Sequence, residues 1–475
     1  MKQIAFLFPL VLLGACTVGP NYDKPPAVGS DAIARGTFVR AADPSITPAP
    51  GLARWWVSLD DPTLTALVDD ALAHSPNIDV AQARIRAANA QLKSQQAGGL
   101  PKVSASATYL NARLPGTNLS SSGSGDSGGS SSLEFYNLGG TASWEPDLFG
   151  GTRRGVEQAR ATVGQRFADL ADAQVSLSAQ VAQAYVNLRD VQERARLNSR
   201  STELQRQALA LTRQRFDAGT ASALDVDRLQ AQLQNTDAQN IPLAAQIDEY
   251  RNQLAVLTGR EPGALDATLA GVVPVPLPPA QVPIGDPVSL IAHRPDIRSA
   301  ELALAASTAG IGVNKAKLFP SIQFLGLFGL GGTSPGDIFD IGKLTTLVSP
   351  MLSWSVLDFG KNQAAVRQSE AQRDEAEAKY RQVVLEALQD AETSLSRFGN
   401  VRLQLAQLGQ AEATAARSAA LNKQRVQAGT STVIDQLDIE RQRLTAAIAV
   451  AQAKAQLTNT YIAVHKALGL GWTDS

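Results

Sequence analysis

The sequence states one structural plan twice, so whatever it folds into must be built from two matching parts. Ala73-His74-x-Pro76-x-Ile78 returns as Ala292-His293-x-Pro295-x-Ile297 at an offset of 219 residues, and Pro101 returns as Pro320 at the same offset. Trp144, Phe149 and Gly150 return as Trp354, Phe359 and Gly360 at an offset of 210. That second offset holds through Gln214-Arg215-x-x-Ala218-Gly219-Thr220 and Gln424-Arg425-x-x-Ala428-Gly429-Thr430, and through Asp225 and Asp435. The change in offset falls between Pro101 and Trp144, where the first copy carries extra Gly and Ser. Each copy reads as helix, β-hairpin, then long helices. This pattern describes a scaffold rather than a single-site enzyme.

Residues 1–15 read as a signal peptide: Lys2, an apolar run from Ile4 to Leu13, then Gly14 and Ala15 before Cys16. Ten apolar residues are too few for a bilayer, which needs ~20. Leu13-Gly14-Ala15-Cys16 resembles the bacterial lipobox, which implies lipid attachment at Cys16. The alternative is a plain cleavable signal. Cys16 is the only cysteine, so internal disulfides are excluded and its thiol has no structural partner. With 43 basic and 44 acidic residues there is no electrostatic footprint for nucleic acid. Three histidines and one cysteine make a His/Cys zinc site implausible. Neither a phosphate-binding glycine loop nor a nucleophile elbow is present, so no cofactor and no catalysis are expected.

Residues 16–54, rich in Pro, Gly, Ala and Asp, read as a tether leaving the lipid anchor. Repeat 1 is expected over 55–273, a Pro-rich linker over 274–287, and repeat 2 over 288–475. Asp60-Asp61-Pro62-Thr63 predicts a capped helix start. His74-Ser75-Pro76-Asn77 interrupts that helix, and a second one runs from about Ile78 to Ala97, where Gly98-Gly99 ends it. From Lys102 the period changes to two, predicting hairpins at about 102–146 and 321–356. Leu138, Gly140, Ala142 and Trp144 share one face; Ile322, Phe324, Phe328 and Leu330 line a strand of the second copy. Strands of roughly ten residues suit a tilted membrane crossing.

Long helices follow each hairpin, at about 150–258 and 360–468. Val156, Val163, Leu170, Leu177, Ala184 and Val191 recur every seven residues, with Phe167, Val181, Leu188 and Ala195 on the same seam. At ~1.5 Å per residue the helix from Gly150 to Ala218 would measure about 100 Å. No apolar run after the signal can form a membrane helix, so any crossing must use closed β-structure. Four strands cannot close, because the smallest barrels have ~8. If these are membrane strands, copies of the chain must therefore associate. The alternative, two soluble hairpins packed on their own helices, leaves the helices far too long for such small hairpins.

Cys16-Thr-Val-Gly-Pro-Asn-Tyr-Asp-Lys-Pro, Arg54-Trp-Trp, Ala73-His-Ser-Pro-Asn, Trp144-Glu-Pro-Asp-Leu-Phe-Gly and His293-Arg-Pro-Asp-Ile, in that order, resemble the TolC-type outer membrane factors. The nearest branch is that of the NodT-like efflux lipoproteins serving resistance-nodulation-division pumps. The resemblance implies a mainly α fold with a membrane β-barrel portion, in a homotrimer whose twelve-stranded barrel continues into a periplasmic α-helical barrel. It also implies a periplasmic adaptor (membrane fusion) protein, an inner-membrane transporter of that class, and outer membrane lipid as partners. The function implied is passive conduction of drugs from periplasm to exterior. Rival readings are a type I protein-secretion duct and a non-conducting coiled-coil lipoprotein.

The same resemblance places a periplasmic gate at Asp435 and Asp438, with Ile434 beside them and Asp225 as the first copy's matching acid. Asp435 and Asp438, three residues apart, share a helix face. The alternative is that these aspartates cap or solvate the helix. Arg215, Arg425, Arg228 and Arg441 are candidates for links that hold the tip. Adaptor docking falls on Arg215, Gly219 and Thr220 and on Arg425, Gly429 and Thr430, which otherwise read as ordinary helix stops. His74 and His293, at equivalent helix breaks, read as capping or packing residues.

Overall fold

A computed structural model describes residues 17–114 and 131–472. The signal peptide, Cys16 and most of the first copy's Gly/Ser loop lie outside the described residues. Helix α1 (Ser30–Arg35), strand β1 (Ile46–Thr47) and a tight helical turn at Trp55–Leu59 come first. The first copy then runs α2 (Pro62–His74), α3 (Pro76–Ala97), β2 (Lys102–Leu114), β3 (Ser131–Trp144), α4 (Gly151–Asp217) and α5 (Ala223–Leu257). After β4 (Val282–Pro283), the second copy runs α6 (Pro287–His293), α7 (Pro295–Ala316), β5 (Ser321–Gly332), β6 (Leu344–Ser353), α8 (Lys361–Gln427) and α9 (Val433–Ala467). Helices α4 and α8 each have 67 residues, and α5 and α9 each have 35.

Local chemistry accounts for the breaks. Asp61 caps α2 by accepting from the Leu64 amide at 2.9 Å, with Pro62 at the first helical position. Ser75 and Arg294 are extended because each precedes a proline, which separates α2 from α3 and α6 from α7. His74 pairs with Asp70 at 2.9 Å and His293 Nδ1 lies 2.8 Å from the Ser289 carbonyl. Both are local contacts at helix ends. Helix α5 runs through Pro242, forgoing one backbone donor.

Two compact units cut across the repeat, each drawing on both copies. One comprises residues up to Pro25, Arg86–Gly164 and Leu302–Ala378; the other comprises Pro26–Ile85, Gln165–Glu301 and Lys379–Ser475. In the first unit β2, β3, β5 and β6 form one antiparallel sheet in that order. Lys102 pairs with Ser143 in the first hairpin, and Ser321 with Ser353 in the second. Adding 219 to the first partner and 210 to the second converts one pair into the other, so the sequence offsets are also structural offsets. The leading segment lies against this unit. The Val18 amide donates to the Phe149 carbonyl at 3.1 Å, while buried Arg154 donates to the Val18 and Gly19 carbonyls and to Asn21.

The second unit holds the main apolar core, which includes Trp55, Trp56, Leu64, Tyr185, Leu188, Leu254, Phe398 and Tyr461. Residues 26–54 are part of this unit rather than an extended leader. Strand β1 pairs in parallel with β4 in the Pro-rich stretch, Asp43 meets Arg402 at 2.9 Å, and Glu392 accepts from the Val39 and Arg40 amides. Of the heptad seam, Leu177, Val181, Ala184, Leu188 and Val191 are buried, but Phe167 is 52% exposed. A seven-residue repeat drifts ~20° per heptad on a 3.6-residue helix, which rotates Phe167 off the buried stripe.

His465 sits in the core of this unit. It stacks on Trp55 with ring centroids 5.5 Å apart and meets Tyr461 edge-on at 4.3 Å. Neither of its ring nitrogens has a hydrogen-bond partner among the described residues. Burial alone pushes its pKa down to about 3, so it is neutral at physiological pH.

Candidate functional site

The two turns joining α4 to α5 and α8 to α9 are built alike, atom for atom over several bonds. At the first, Gly219 has φ +71 and its amide donates to the Phe216 carbonyl, while the Thr220 amide donates to the Arg215 carbonyl at 2.8 Å. At the second, Gly429 has φ +72, its amide donates to the Val426 carbonyl, and the Thr430 amide donates to the Arg425 carbonyl at 2.9 Å. Both are left-handed helix stops in which glycine avoids a Cβ penalty and the last carbonyls are satisfied. Nothing lies within 4 Å of either glycine's missing Cβ, so backbone conformation and not crowding selects glycine here.

The return helices begin with reciprocal caps. The Ser222 hydroxyl and amide donate to Asp225 Oδ2 at 2.7 and 3.1 Å, and the Asp225 amide donates back to the Ser222 hydroxyl at 3.2 Å. Thr432 and Asp435 repeat this at 2.6, 3.3 and 3.1 Å. Both aspartates are exposed, yet both are held below the usual carboxylate range. The first cause is the capping hydroxyl, followed by the capping residue's amide, with help from Arg228 and Arg215 at Asp225 and from Arg215 and Arg425 at Asp435. Arg215 thus acts on the acids of both copies. Oδ1 of each aspartate takes no hydrogen bond within the described chain.

Asp438 is placed differently. It caps nothing, is half exposed, and receives Arg441 at 2.9 Å and the Gln442 side chain at 2.9 Å, one turn along its own helix. Exposed pairs of this kind contribute little stability, roughly 0.3–0.5 kcal/mol. Ile434 is half-buried beside it. Of the candidate arginines, Arg441 pairs within α9 and Arg425 donates to the Thr430 carbonyl of its own turn.

Sequence reading missed an amide ladder that ties the second turn. Asn422 donates to Gln436 at 2.9 Å, the Ser431 hydroxyl donates to Asn422 at 2.9 Å, and Gln436 donates to the Ala419 carbonyl at 3.2 Å. At an offset of 210 the first copy has Thr212, Ala221 and Val226 in those places. Comparison of the two copies position by position is the signal that finds this ladder. Among the described residues there is no acidic or histidine/cysteine cluster able to hold a metal ion. No described helix is long and apolar enough to cross a membrane.

Residues 67–260 and 287–470 match the sequence profile of the family described as "Outer membrane efflux protein". The two matched segments correspond to the two copies of the repeat. The chain belongs to the outer membrane efflux protein family. It is 29% identical to "Nodulation protein T" of Rhizobium leguminosarum bv. trifolii, covering 97% of this chain and 96% of that one. It is 28% identical to "Probable efflux pump outer membrane protein TtgC" of Pseudomonas putida, covering 98% and 94%. Among solved structures it is similar to the outer-membrane channel OprN, with a TM-score of 0.86, 34% identity, and coverage of 96% of this chain and 100% of that one. Members of the outer membrane efflux protein family are channel proteins of the outer membrane, and this chain is the outer-membrane component of an efflux system with that fold. The resemblance read from Trp144-Glu-Pro-Asp-Leu-Phe-Gly and His293-Arg-Pro-Asp-Ile is therefore to its own family.

Proposed function

We propose that this protein is the passive duct of a tripartite multidrug efflux system. Three copies close a twelve-stranded barrel in outer membrane lipid, and their long helices form the periplasmic α-helical barrel. One observation carries the reading. The four-stranded sheet ends on two open edges, β2 and β6, with Val103, Tyr109, Val348 and Leu352 all more than half exposed. Unpaired edges are prohibited in lipid, and four strands per chain fall short of the ~8 a barrel needs. An inner-membrane resistance-nodulation-division transporter supplies energy through a periplasmic adaptor. No cofactor takes part.

In the ring of copies Asp435 and Asp438, with Ile434 beside them and Asp225 from the first copy, line the periplasmic entrance. Clustered carboxylates in a narrow aqueous opening draw cations and repel one another. Asp438 gives the cleaner test, because Asp435→Ala also removes a helix cap. In planar bilayers the wild-type protein is expected to conduct with a preference for cations. Asp438→Asn should raise conductance several-fold and weaken that preference. Absence of any current from correctly assembled protein would leave the non-conducting lipoprotein as the answer.

Arg215, Gly219 and Thr220, with Arg425, Gly429 and Thr430, form the adaptor-docking tip. Replacing Thr220 and Thr430 together by lysine is expected to abolish rescue of a drug-susceptible deletion strain while the protein level in the outer membrane stays normal. Full rescue by that variant argues for plain helix stops. Cys16 anchors the mature chain by its lipid. Labelled palmitate is expected on the wild-type protein and absent from Cys16→Ser; label persisting on the variant refutes the anchor.

A further inference from the structure

The helical unit holds a charged cavity that neither the proposed entrance nor the docking tip uses. It measures about 620 Å³ and lies between α4, α8 and α9, beside the break from α6 to α7. Helix α9 turns Tyr461, Val464 and His465 into the core around Trp55, and presents Asn459, Ala463 and Lys466 to the cavity. On a 3.6-residue helix these two sets point opposite ways. A face covered by folded chain cannot line a water-filled bore. In the duct proposed above it is therefore the uncovered face, with this cavity, that looks into the bore.

The charges around the cavity are not all used up by one another. Arg294, almost fully buried, donates to the two carboxylate oxygens of Asp296 at 2.9 and 2.6 Å and to the Ala467 carbonyl at 2.7 Å. Asp390 is left with an Arg294 nitrogen at 3.9 Å. Asp172 is half-buried and makes no hydrogen bond or ion pair among the described residues. Burial and the nearby Asp296 push its pKa up, against the pull of Arg294 and Lys466. Lys466 is thus close enough to act on Asp172, yet no ion pair joins them. Arg397, on the α8 wall, is exposed and also makes no ion pair among the described residues.

Neighbouring acids on α4 show the contrast. Asp169 accepts from Arg166 at 2.8 Å and from Ser299 at 2.6 Å, and Asp190 accepts from Arg194 at 2.9 Å. A carboxylate drawn out of water without a partner costs stability, so Asp172 brings the fold a cost and no bond. Two acids and two cations with charge to spare face one space, and its volume falls in the ~300–1,000 Å³ range of sites for drug-sized molecules. We propose that this cavity is a binding station for zwitterionic solutes on the conduction path. The solute's ammonium group meets Asp172 and Asp390, and its acid group meets Lys466 and Arg397, each through charge-assisted hydrogen bonds. A solute of one sign pairs with one set and is repelled by the other. The station rests on the duct reading and adds selectivity to it.

Three tripeptides of nearly one size separate the charge classes. Ala-Phe-Ala carries both charges, its C-terminal amide only the positive one, and its N-acetyl form only the negative one. In planar bilayers holding the full-length protein, millimolar Ala-Phe-Ala should reduce the single-channel current. Each one-signed peptide should block about tenfold more weakly, and Asp172→Asn and Lys466→Gln should each weaken the block by Ala-Phe-Ala to a similar extent. Asp172→Asn should also melt at or above the wild-type temperature. A clear loss of stability would make Asp172 a structural partner and overturn the station. Equal block by the three peptides, or block unchanged in both variants, overturns it as well. If correctly assembled protein passes no current at all, the duct fails instead, and equilibrium dialysis of the same peptides against protein in detergent tests the cavity alone. Selective retention of Ala-Phe-Ala there upholds the site, and no retention overturns it.

Discussion

Trp55→Ala is expected to destabilise the helical unit by about 3–5 kcal/mol and to deplete the protein from the outer membrane. Trp55 is fully buried, packed edge-on to Trp56 at 5.7 Å and to Tyr461 at 6.1 Å, and stacked on His465. Truncation leaves a cavity among groups drawn from the N-terminal segment and α9. Trp55→Phe should cost clearly less. It keeps most of the volume, and it removes an indole N–H that has no acceptor in the core. Chemical denaturation in detergent, followed by far-UV circular dichroism, measures both. An alanine variant that unfolds at the wild-type denaturant concentration would show that this cluster does not hold the unit together.

The second large effect is acid lability centred on His465. Its folded pKa is about 3 through burial, while an unfolded histidine titrates near 6.5. Between those values the unfolded chain takes a proton that the folded chain refuses. The contribution of His465 is therefore complete above about pH 6.5 and declines as pH falls, at roughly 1–1.5 kcal/mol per unit. The capping aspartates act in a lower window. Their depressed values add stability above the ordinary carboxylate pKa that fades only as pH falls below about 4. Stability measured from pH 7 to pH 4.5 should fall in the wild type and fall much less in His465→Phe. Parallel curves for the two proteins would place the acid sensitivity elsewhere.

Much of the architecture is written in local sequence. Asp61 and Pro62 start α2, Pro76 and Pro295 part the short helices from the longer ones, and Gly219 and Gly429 end the 67-residue helices. These are local backbone preferences, which act on any chain carrying them. The aspartates of the proposed entrance were legible as residues near a helix start, and their individual chemistry less so. Asp225, Asp435 and Asp438 look alike in sequence, but the first two close capping boxes and the third pairs with Arg441 and Gln442. Which atom a carboxylate meets depends on where the preceding turn delivers a hydroxyl, and side-chain identity alone does not encode that.

The sequence by itself determined that the plan is doubled, where the hairpins and the helices flanking them lie, and which family the chain joins, because periodicity and turn residues act within a few positions. Only the tertiary structure decided that β3 and β5 join the two hairpins edge to edge. It also decided that residues 26–54 fold into the helical unit and that His465 is sealed among Trp55 and Tyr461. Those outcomes depend on groups up to several hundred residues apart competing for the same buried space, and no local pattern records which of them wins.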